Sequence, residues 1–319
     1  MALGGALALA APVRLASPAR ARAVEVRHDV EYGTANGKRL LLDAYVPATG
    51  KGVRPAVVLI HGGGWRLGDK AWWADEAQRF ADRGWVAFSV NYRLDEPSAF
   101  PAEIDDVQAA VRWVRAHAGE YRVDPTRVAA AGDSAGGHLT AMLATLGSGS
   151  LDEGARIRVG AAWSPPVDLL ALAGSRGDGW VGPIVGCTLT TCPDVLAQAS
   201  PVNHVDGTDA PLYLVNSTDE LVPLTQARVM AERLKMSGVD HRLDVFEGAR
   251  HGLDLRADAW APTLAFFEAH LGAHPDLQPA TEDENEASSG APAAVLGGIV
   301  AAVAVAGSVV LRRRRRPGP

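Results

Sequence analysis

The chain has 319 residues, and its 31 lysines and arginines against 37 aspartates and glutamates give a formal net charge of −6. No run of basic residues lies between Val24 and Leu271, which argues against nucleic acid as a partner. Strand and helix signals continue over residues 24–271, so we predict one folded domain there, long enough to bury a large core without metals or disulfides.

Residues 1–23 have features of a secretory signal peptide. The stretch from Ala2 to Val13 is apolar, and Ala21-Arg22-Ala23 fits the small-x-small pattern of a cleavage site. No lysine or arginine precedes the apolar stretch, so a disordered alanine-rich leader on a cytosolic protein is the alternative. We expect a signal peptide because the C-terminal part of the chain also indicates export.

Residues 24–271 alternate predicted strands with predicted helices. Such alternation is typical of an α/β fold with a mostly parallel sheet and helices on both faces, in which the functional site lies at the carboxyl ends of the strands. The expected strands are 24–30 and 40–46, which form a hairpin, followed by 57–60, 85–91, 128–131, 159–163, 212–216 and 242–246. The expected helices are 70–82, 102–117, 138–146, 224–236 and 261–271.

Residues 168–204 interrupt this alternation. They are rich in glycine and proline and contain both cysteines of the chain. We expect them to form a small lid over the site. Two thiols five positions apart in an exported protein predict a disulfide between Cys187 and Cys192, with buried free thiols as the alternative.

Two glycine-rich motifs follow predicted strands directly. Gly132-Asp133-Ser134-Ala135-Gly136 stands between a strand and a helix, which is the setting of a nucleophile elbow, where a tight turn exposes the serine hydroxyl. His61-Gly62-Gly63-Gly64-Trp65 follows an earlier strand, and its N–H groups are suited to bind an oxyanion. We predict Ser134 as the nucleophile and the N–H groups of Gly63, Gly64 and Ala135 as the oxyanion hole.

A catalytic serine needs a base and an acid that holds the base. In the α/β-hydrolase chain order the acid follows the serine and the histidine comes last. Asp219 and His251 each follow one of the late predicted strands, so we predict Asp219 as the acid and His251 as the base. Glu220 is the nearest alternative acid, and a helix N-cap is the alternative role of Asp219.

Several other residues near these motifs are assigned structural roles. His61 is expected to support the glycine loop by hydrogen bonds, and Asp133, whose side chain should point away from the nucleophile, is expected to be structural. Four tryptophans are expected either to line a substrate pocket or to be ordinary core and surface residues, and we favour the second role for at least two of them: Trp65, Trp72, Trp73 and Trp180.

The combined motifs resemble a known family. HGGGW at 61–65, GDSAGG at 132–137, DxxVP at 219–223 and HG at 251–252 are similar to the hormone-sensitive-lipase-like branch of α/β-hydrolases. They more closely resemble bacterial esterases related to feruloyl and acetyl-xylan esterases and to kynurenine formamidases. The resemblance implies an α/β-hydrolase fold and hydrolysis of small-molecule carboxylic esters, usually with short acyl chains, without metal or cofactor.

Two other functions remain as alternatives. Amidases, peptidases and arylformamidases share this fold and mechanism, and a binding module could keep the fold without turnover. A protein of this fold that has lost its catalytic activity is expected to lack part of the triad or of the glycine loop. Both are intact here, which favours a serine carboxylesterase.

The last part of the chain predicts a membrane anchor. Residues 272–292 are polar and acidic and indicate a flexible stalk. Residues 293–311 carry no charge and would span about 28 Å as a helix, and the arginine-rich residues 312–319 should remain cytoplasmic. This pattern predicts a single-pass membrane protein with an extracytoplasmic catalytic domain. Residues 277–282 match a sortase signal only loosely, so we expect a retained anchor.

Overall fold

The computed structural model describes residues 23–50, 52–94, 100–146, 151, 154–177, 179 and 181–272. The predicted signal peptide apart from Ala23, the predicted stalk apart from Gly272, the apolar segment 293–311 and the tail 312–319 lie outside these residues. None of the helices in the described ranges combines the length and the apolar composition that crossing a bilayer requires.

An eight-stranded sheet forms the centre of the described part of the chain. Its strands are β1 (Val24–Ala35), β2 (Lys38–Pro47), β3 (Arg54–Ile60), β4 (Val86–Val90), β5 (Val123–Asp133), β6 (Val159–Trp163), β7 (Leu212–Ser217) and β8 (His241–Phe246). Their order across the sheet is β1-β2-β4-β3-β5-β6-β7-β8. β2 is antiparallel to β1 and β4, and all other neighbours are parallel. The predicted mostly parallel sheet and its N-terminal hairpin are confirmed.

Helices connect the strands. They are α1 (Ala74–Asp82), α2 (Ala102–Ala116), α3 (Ala118–Tyr121), α4 (Ala135–Thr145), α5 (Leu169–Arg176), α6 (Gly182–Val185), α7 (Pro193–Gln198), α8 (Leu224–Met236) and α9 (Arg256–Leu271). The predicted helix at 70–82 is divided, because Lys70–Trp73 form a 3₁₀ turn that the Asp69 side chain caps. α9 starts before the predicted residue 261 and contains Pro262 in its interior.

Alternate residues of the central strands face two separate cores. Along β3, Val58 and Ile60 belong to one core and Val57 and Leu59 to the other, since successive side chains of a strand point to opposite faces. α2, α4 and α8 cover the first face, and α1 and α9 cover the second. Because neither face meets water, every residue of β3 is buried. The central strands therefore present only their carboxyl ends to a site.

The expected lid consists of α5, α6 and α7. Its apolar side chains form a third cluster, separate from the two cores of the sheet. Trp65 and Ala135, which belong to the two glycine-rich motifs, are buried members of this cluster. The lid thus packs directly beside the predicted nucleophile. Within it the structure joins Cys187 to Cys192 in a disulfide, with the two Cα atoms 6.1 Å apart.

Candidate active site

Ser134 lies on a strained turn between β5 and α4. Its φ of 52° and ψ of −116° fall where a residue with a side chain is rarely found, at a cost of about 1–3 kcal/mol. Two backbone hydrogen bonds hold the turn, one from the Ser134 N–H to the Trp163 carbonyl (2.8 Å) and one from the His138 N–H to the Ser134 carbonyl (2.9 Å). The serine side chain remains only partly buried. The turn therefore presents the hydroxyl as a nucleophile elbow does.

The two outer glycines of the elbow allow close backbone contacts. A Cβ atom at Gly132 would overlap the carbonyl group of Gly136, and one at Gly136 would overlap the carbonyl oxygen of Ile60. The turn, α4 and the end of β3 therefore meet through their backbones alone. This contact explains why both positions two residues from Ser134 are glycine.

The glycine loop after β3 folds through consecutive residues with positive φ. Gly63, Gly64 and Trp65 have φ values of 110°, 61° and 59°. Within the part of the chain that the structure describes, the N–H groups of Gly63 and Gly64 have no hydrogen-bond acceptor. The N–H of Ala135 lies in the first turn of α4, where a helix does not use its own N–H groups. These three N–H groups are thus available to an anion.

The Asp133 carboxylate connects the elbow to two neighbouring loops. Its Oδ1 accepts hydrogen bonds from the Gly62 N–H (3.0 Å) and from Nε1 of Trp73 (2.9 Å). Its Oδ2 lies so close to Gly252 that a Cβ there would come within 2.6 Å. Burial raises the pKa of the Asp133 carboxyl, and the hydrogen bonds from Trp73 and Gly62 oppose this shift. The structural role predicted for Asp133 is confirmed by these contacts.

His61 supports the glycine loop as predicted. Its Nδ1 donates to the Gly62 carbonyl (2.7 Å), and its ring stacks on Tyr92 with a centroid distance of 4.5 Å. The Tyr92 hydroxyl in turn donates to the His61 carbonyl (3.0 Å). Burial lowers the pKa of His61, which favours the neutral form of the ring. His61 is therefore part of the loop's framework.

The tryptophans near the site differ in exposure. Trp65 and Trp73 are buried, whereas Trp72 is 44% exposed. Trp180 lies outside the described residues. Two of the four tryptophans that the sequence offered as pocket or core residues thus belong to the protein interior.

The imidazole of His251 lies against a buried carboxylate. Its Nδ1 is 2.5 Å from Oε2 of Glu220, whose side chain is fully buried, while 22% of the histidine side chain is exposed. The other carboxylate oxygen, Oε1, accepts a hydrogen bond from the Ser217 N–H (2.7 Å). A carboxylate held at both oxygens fixes the orientation of the imidazole and leaves its Nε2 for a second partner.

This geometry corrects the prediction that Asp219 is the carboxylate beside His251. The Asp219 N–H donates to the Gly248 carbonyl (2.9 Å), which extends the pairing of β7 with β8 by two residues and directs the side chain outwards. The exposed Asp219 carboxylate accepts a hydrogen bond from the Thr218 hydroxyl (2.8 Å). The chain turns inwards only at the next residue, so Glu220, the alternative weighed from the sequence, occupies the place beside His251.

Two serines that sequence reasoning missed hold the histidine loop. Ser164 follows β6, has a φ of 52° and accepts a hydrogen bond from the Gly252 N–H through its Oγ (2.9 Å). The Ser217 hydroxyl donates to the Arg250 carbonyl (2.7 Å). Both serines could have been recognised from the sequence as candidate site residues. Each lies at the carboxyl end of a predicted strand, where the functional site of an α/β sheet is expected.

The groups at this edge of the sheet match the needs of acyl transfer. They are a serine hydroxyl on a strained turn, an imidazole oriented by a carboxylate, and N–H groups without acceptors among the described residues. Such a set can attack a carbonyl group, move the serine proton and stabilise the resulting oxyanion.

The chain is similar to known proteins. The family model BD-FAE matches residues 42–234. The esterase LipC of Mycobacterium tuberculosis (strain ATCC 25618 / H37Rv) is 30% identical over 232 residues, covering 62% of this chain and 55% of LipC. The chain thus spans about half the length of the curated relatives it matches first.

Solved structures agree on the fold. A truncated carbohydrate esterase from gut microbiota superposes with a TM-score of 0.70 at 24% identity, covering 79% of this chain and 98% of that one. Thermogutta terrifontis esterase 2, in a structure described as phosphorylated by paraoxon, gives a TM-score of 0.65 at 27% identity, covering 82% and 99%. Since the family match includes more than half of the sequence, the chain belongs to the BD-FAE family and has the α/β-hydrolase fold.

Proposed function

We propose that this chain is a serine carboxylesterase that hydrolyses esters with short acyl chains through an acyl-enzyme. The observation that carries the proposal is the contact between His251 and the buried Glu220, on a histidine loop whose Gly252 lies against Asp133 of the elbow. The Glu220 carboxylate orients the imidazole of His251, and an imidazole oriented in this way can take the proton of a serine nucleophile.

The proposed reaction begins with the removal of the Ser134 proton. Because Nδ1 of His251 donates to Glu220, its Nε2 is the nitrogen that accepts this proton as Oγ of Ser134 attacks the ester carbonyl. Glu220 stabilises the imidazolium that forms. The histidine then protonates the leaving alcohol, and water releases the acid from the acyl-enzyme by the same steps.

The oxyanion of each tetrahedral intermediate is bound by the N–H groups of Gly63, Gly64 and Ala135. Donors of this kind contribute most when the protein holds them in place before the reaction, and the loss of one typically costs about 2.7–4 kcal/mol in the barrier. The hydrogen bond from the Gly62 N–H to Asp133 provides such a hold next to the donors.

The substrate class is supported by the relatives and by the lid. LipC is named an esterase, and the Thermogutta terrifontis esterase is described as phosphorylated by paraoxon. Organophosphates of this type react with an activated nucleophile such as a serine. In this chain the space beside Ala135 is filled by mutually packed lid residues, including Leu169, Leu172 and Val181. This packing favours a short acyl group.

We expect the full chain to hydrolyse p-nitrophenyl acetate and butyrate and to lose about tenfold or more in kcat/KM by dodecanoate, because longer chains must displace the packed lid. The measurement is release of p-nitrophenol across the series, with circular dichroism to show that the protein is folded. Folded protein that hydrolyses anilides or N-formyl arylamines in place of every ester would point to an amidase or arylformamidase. Inactivity on all of these would favour a binding module.

We also propose that the protein is exported and held at the cell membrane by residues 293–311, with the catalytic domain outside the cytoplasm. The support comes from the sequence, in which an uncharged stretch of this length is followed by Arg312–Arg316.

We expect the full chain to stay with the membrane during alkaline carbonate extraction. The double variant Val300→Arg, Val303→Arg should be released, since an arginine at the centre of a span costs about 2.5–3.5 kcal/mol. Immunoblotting of pellet and supernatant provides the measurement. Equal release of both proteins would contradict the anchor without bearing on the esterase activity.

A further inference from the structure

Three parts of the candidate site meet at one buried imidazole that the proposed reaction does not use. His138 belongs to α4, four residues after Ser134, and is fully buried. Its Nδ1 is 3.3 Å from Nε1 of Trp65, the residue that ends the glycine loop, and the two rings meet edge to face at 5.3 Å. Its Nε2 is 2.7 Å from the carbonyl oxygen of Ala199, directly after α7 of the lid. One side chain thus touches the glycine loop, the nucleophile helix and the lid.

A single protonation state satisfies both contacts. The indole N–H of Trp65 can only donate, so Nδ1 of His138 accepts; the Ala199 carbonyl can only accept, so Nε2 carries the proton. Burial lowers the pKa of His138 to about 4, and the neutral ring therefore persists at neutral pH. A buried polar group that makes both of its hydrogen bonds holds its neighbours at defined distances, which an aliphatic side chain of similar volume could not do.

The contact with Trp65 restrains the oxyanion donors. Trp65 has a φ of 59° and follows two glycines that also have positive φ. Backbone in this region is stable only where its surroundings hold it. Asp133 holds the beginning of the loop through the Gly62 N–H, and His138 holds its end through the indole of Trp65.

The contact with Ala199 restrains the end of the lid. The start of the lid is fixed separately, by hydrogen bonds from the N–H groups of Val167 and Asp168 to the Gln226 side chain (2.8 and 2.7 Å). The lid's apolar cluster lies between these two attachments and includes Ala135. Movement at Ala199 would change the space next to the acyl group, whereas the glycine loop is held separately, through Asp133 and through the indole of Trp65.

We propose that His138 is a positioning residue with two separable effects. Through Nδ1 it holds the oxyanion loop and so keeps kcat high, and through Nε2 it holds the lid and so keeps KM low. The inference rests on the proposed esterase function and deepens it.

The test uses two amide side chains that each replace one half of the imidazole. In His138→Asn the amide oxygen can take the place of Nδ1 and accept from Trp65, while the contact to Ala199 is lost. In His138→Gln the amide nitrogen can take the place of Nε2 and donate to Ala199, while Trp65 loses its acceptor. Trp65→Phe removes the same hydrogen bond from the other side and leaves His138 in place.

We expect His138→Asn to raise KM for p-nitrophenyl hexanoate about tenfold with kcat within about threefold of the wild type. His138→Gln and Trp65→Phe should each lower kcat for the acetate about tenfold with KM within about threefold. The double variant His138→Gln, Trp65→Phe should lose little more kcat than either single variant, since both substitutions remove the same hydrogen bond between Trp65 and His138. Steady-state kinetics at about pH 7.5 provide all these values. This pH is far above the His138 pKa of about 4, so the ring stays neutral during the measurement.

The outcomes separate the two proposals. If the wild type hydrolyses no ester, the esterase function is wrong and this inference falls with it. If the wild type is active but the variants change only the melting temperature, or both His138 variants change the same kinetic constant, the esterase function stands and the positioning role is wrong. If the His138 variants do not fold, Trp65→Phe decides, because an unchanged kcat in that variant would also overturn the inference.

Discussion

Ser134→Ala is expected to lower kcat for p-nitrophenyl acetate about 10⁶-fold, because the Ser134 hydroxyl forms the acyl-enzyme that the proposed mechanism requires. The fold should be retained: the elbow is held by backbone hydrogen bonds to Trp163 and from His138, which alanine keeps. Alanine carries a Cβ as serine does, so the backbone strain at this position stays about the same. The melting temperature should therefore change by only a few degrees. The measurement is p-nitrophenol release together with thermal unfolding.

A second measurement identifies the nucleophile directly. Paraoxon is expected to add one diethylphosphoryl group to the wild-type protein, at the peptide that contains Ser134, and none to Ser134→Ala. Intact mass and peptide mass spectrometry read this out. A variant that keeps more than about 1% of wild-type turnover, or that is still phosphorylated, would remove Ser134 from the proposed role.

Glu220→Gln is expected to lower kcat about 10⁴-fold, whereas Asp219→Asn should leave kcat within about twofold. The two substitutions are matched, since each replaces a carboxylate with its amide at adjacent positions. In the first, the amide can present a donor to Nδ1 of His251 and so favour the wrong tautomer. In the second, an exposed side chain loses only its charge and the hydrogen bond from Thr218 changes little.

The comparison also has a structural readout. Glu220→Gln should keep the fold, because the amide oxygen can still accept from the Ser217 N–H, so circular dichroism should match the wild type. Should Asp219→Asn be the more damaging of the pair, the acid would be Asp219 after all, and the loop would have to rearrange when substrate binds.

The choice between Asp219 and Glu220 could not be made from the local sequence alone. The strand pattern correctly placed a carboxylate after β7, and two adjacent candidates followed from the sequence. Which one points inwards depends on how far the backbone of β7 remains paired with β8, and the Asp219 N–H continues this pairing to Gly248. That register is a property of two strands together. A change of one residue in a strand reverses the side on which a side chain lies.

The sequence by itself determined the fold class, the order of the strands and of the longer helices along the chain, the serine elbow and the glycine loop, because periodicity and glycine positions act over a few neighbouring residues. Only the tertiary structure decided that Glu220 faces His251, that Ser164 holds the histidine loop and that His138 joins Trp65 to Ala199. The partners in these contacts are separated by 31, 88, 73 and 61 positions. Hydrogen bonds are short and directional, so such pairs form only after the sheet has brought its strand ends together.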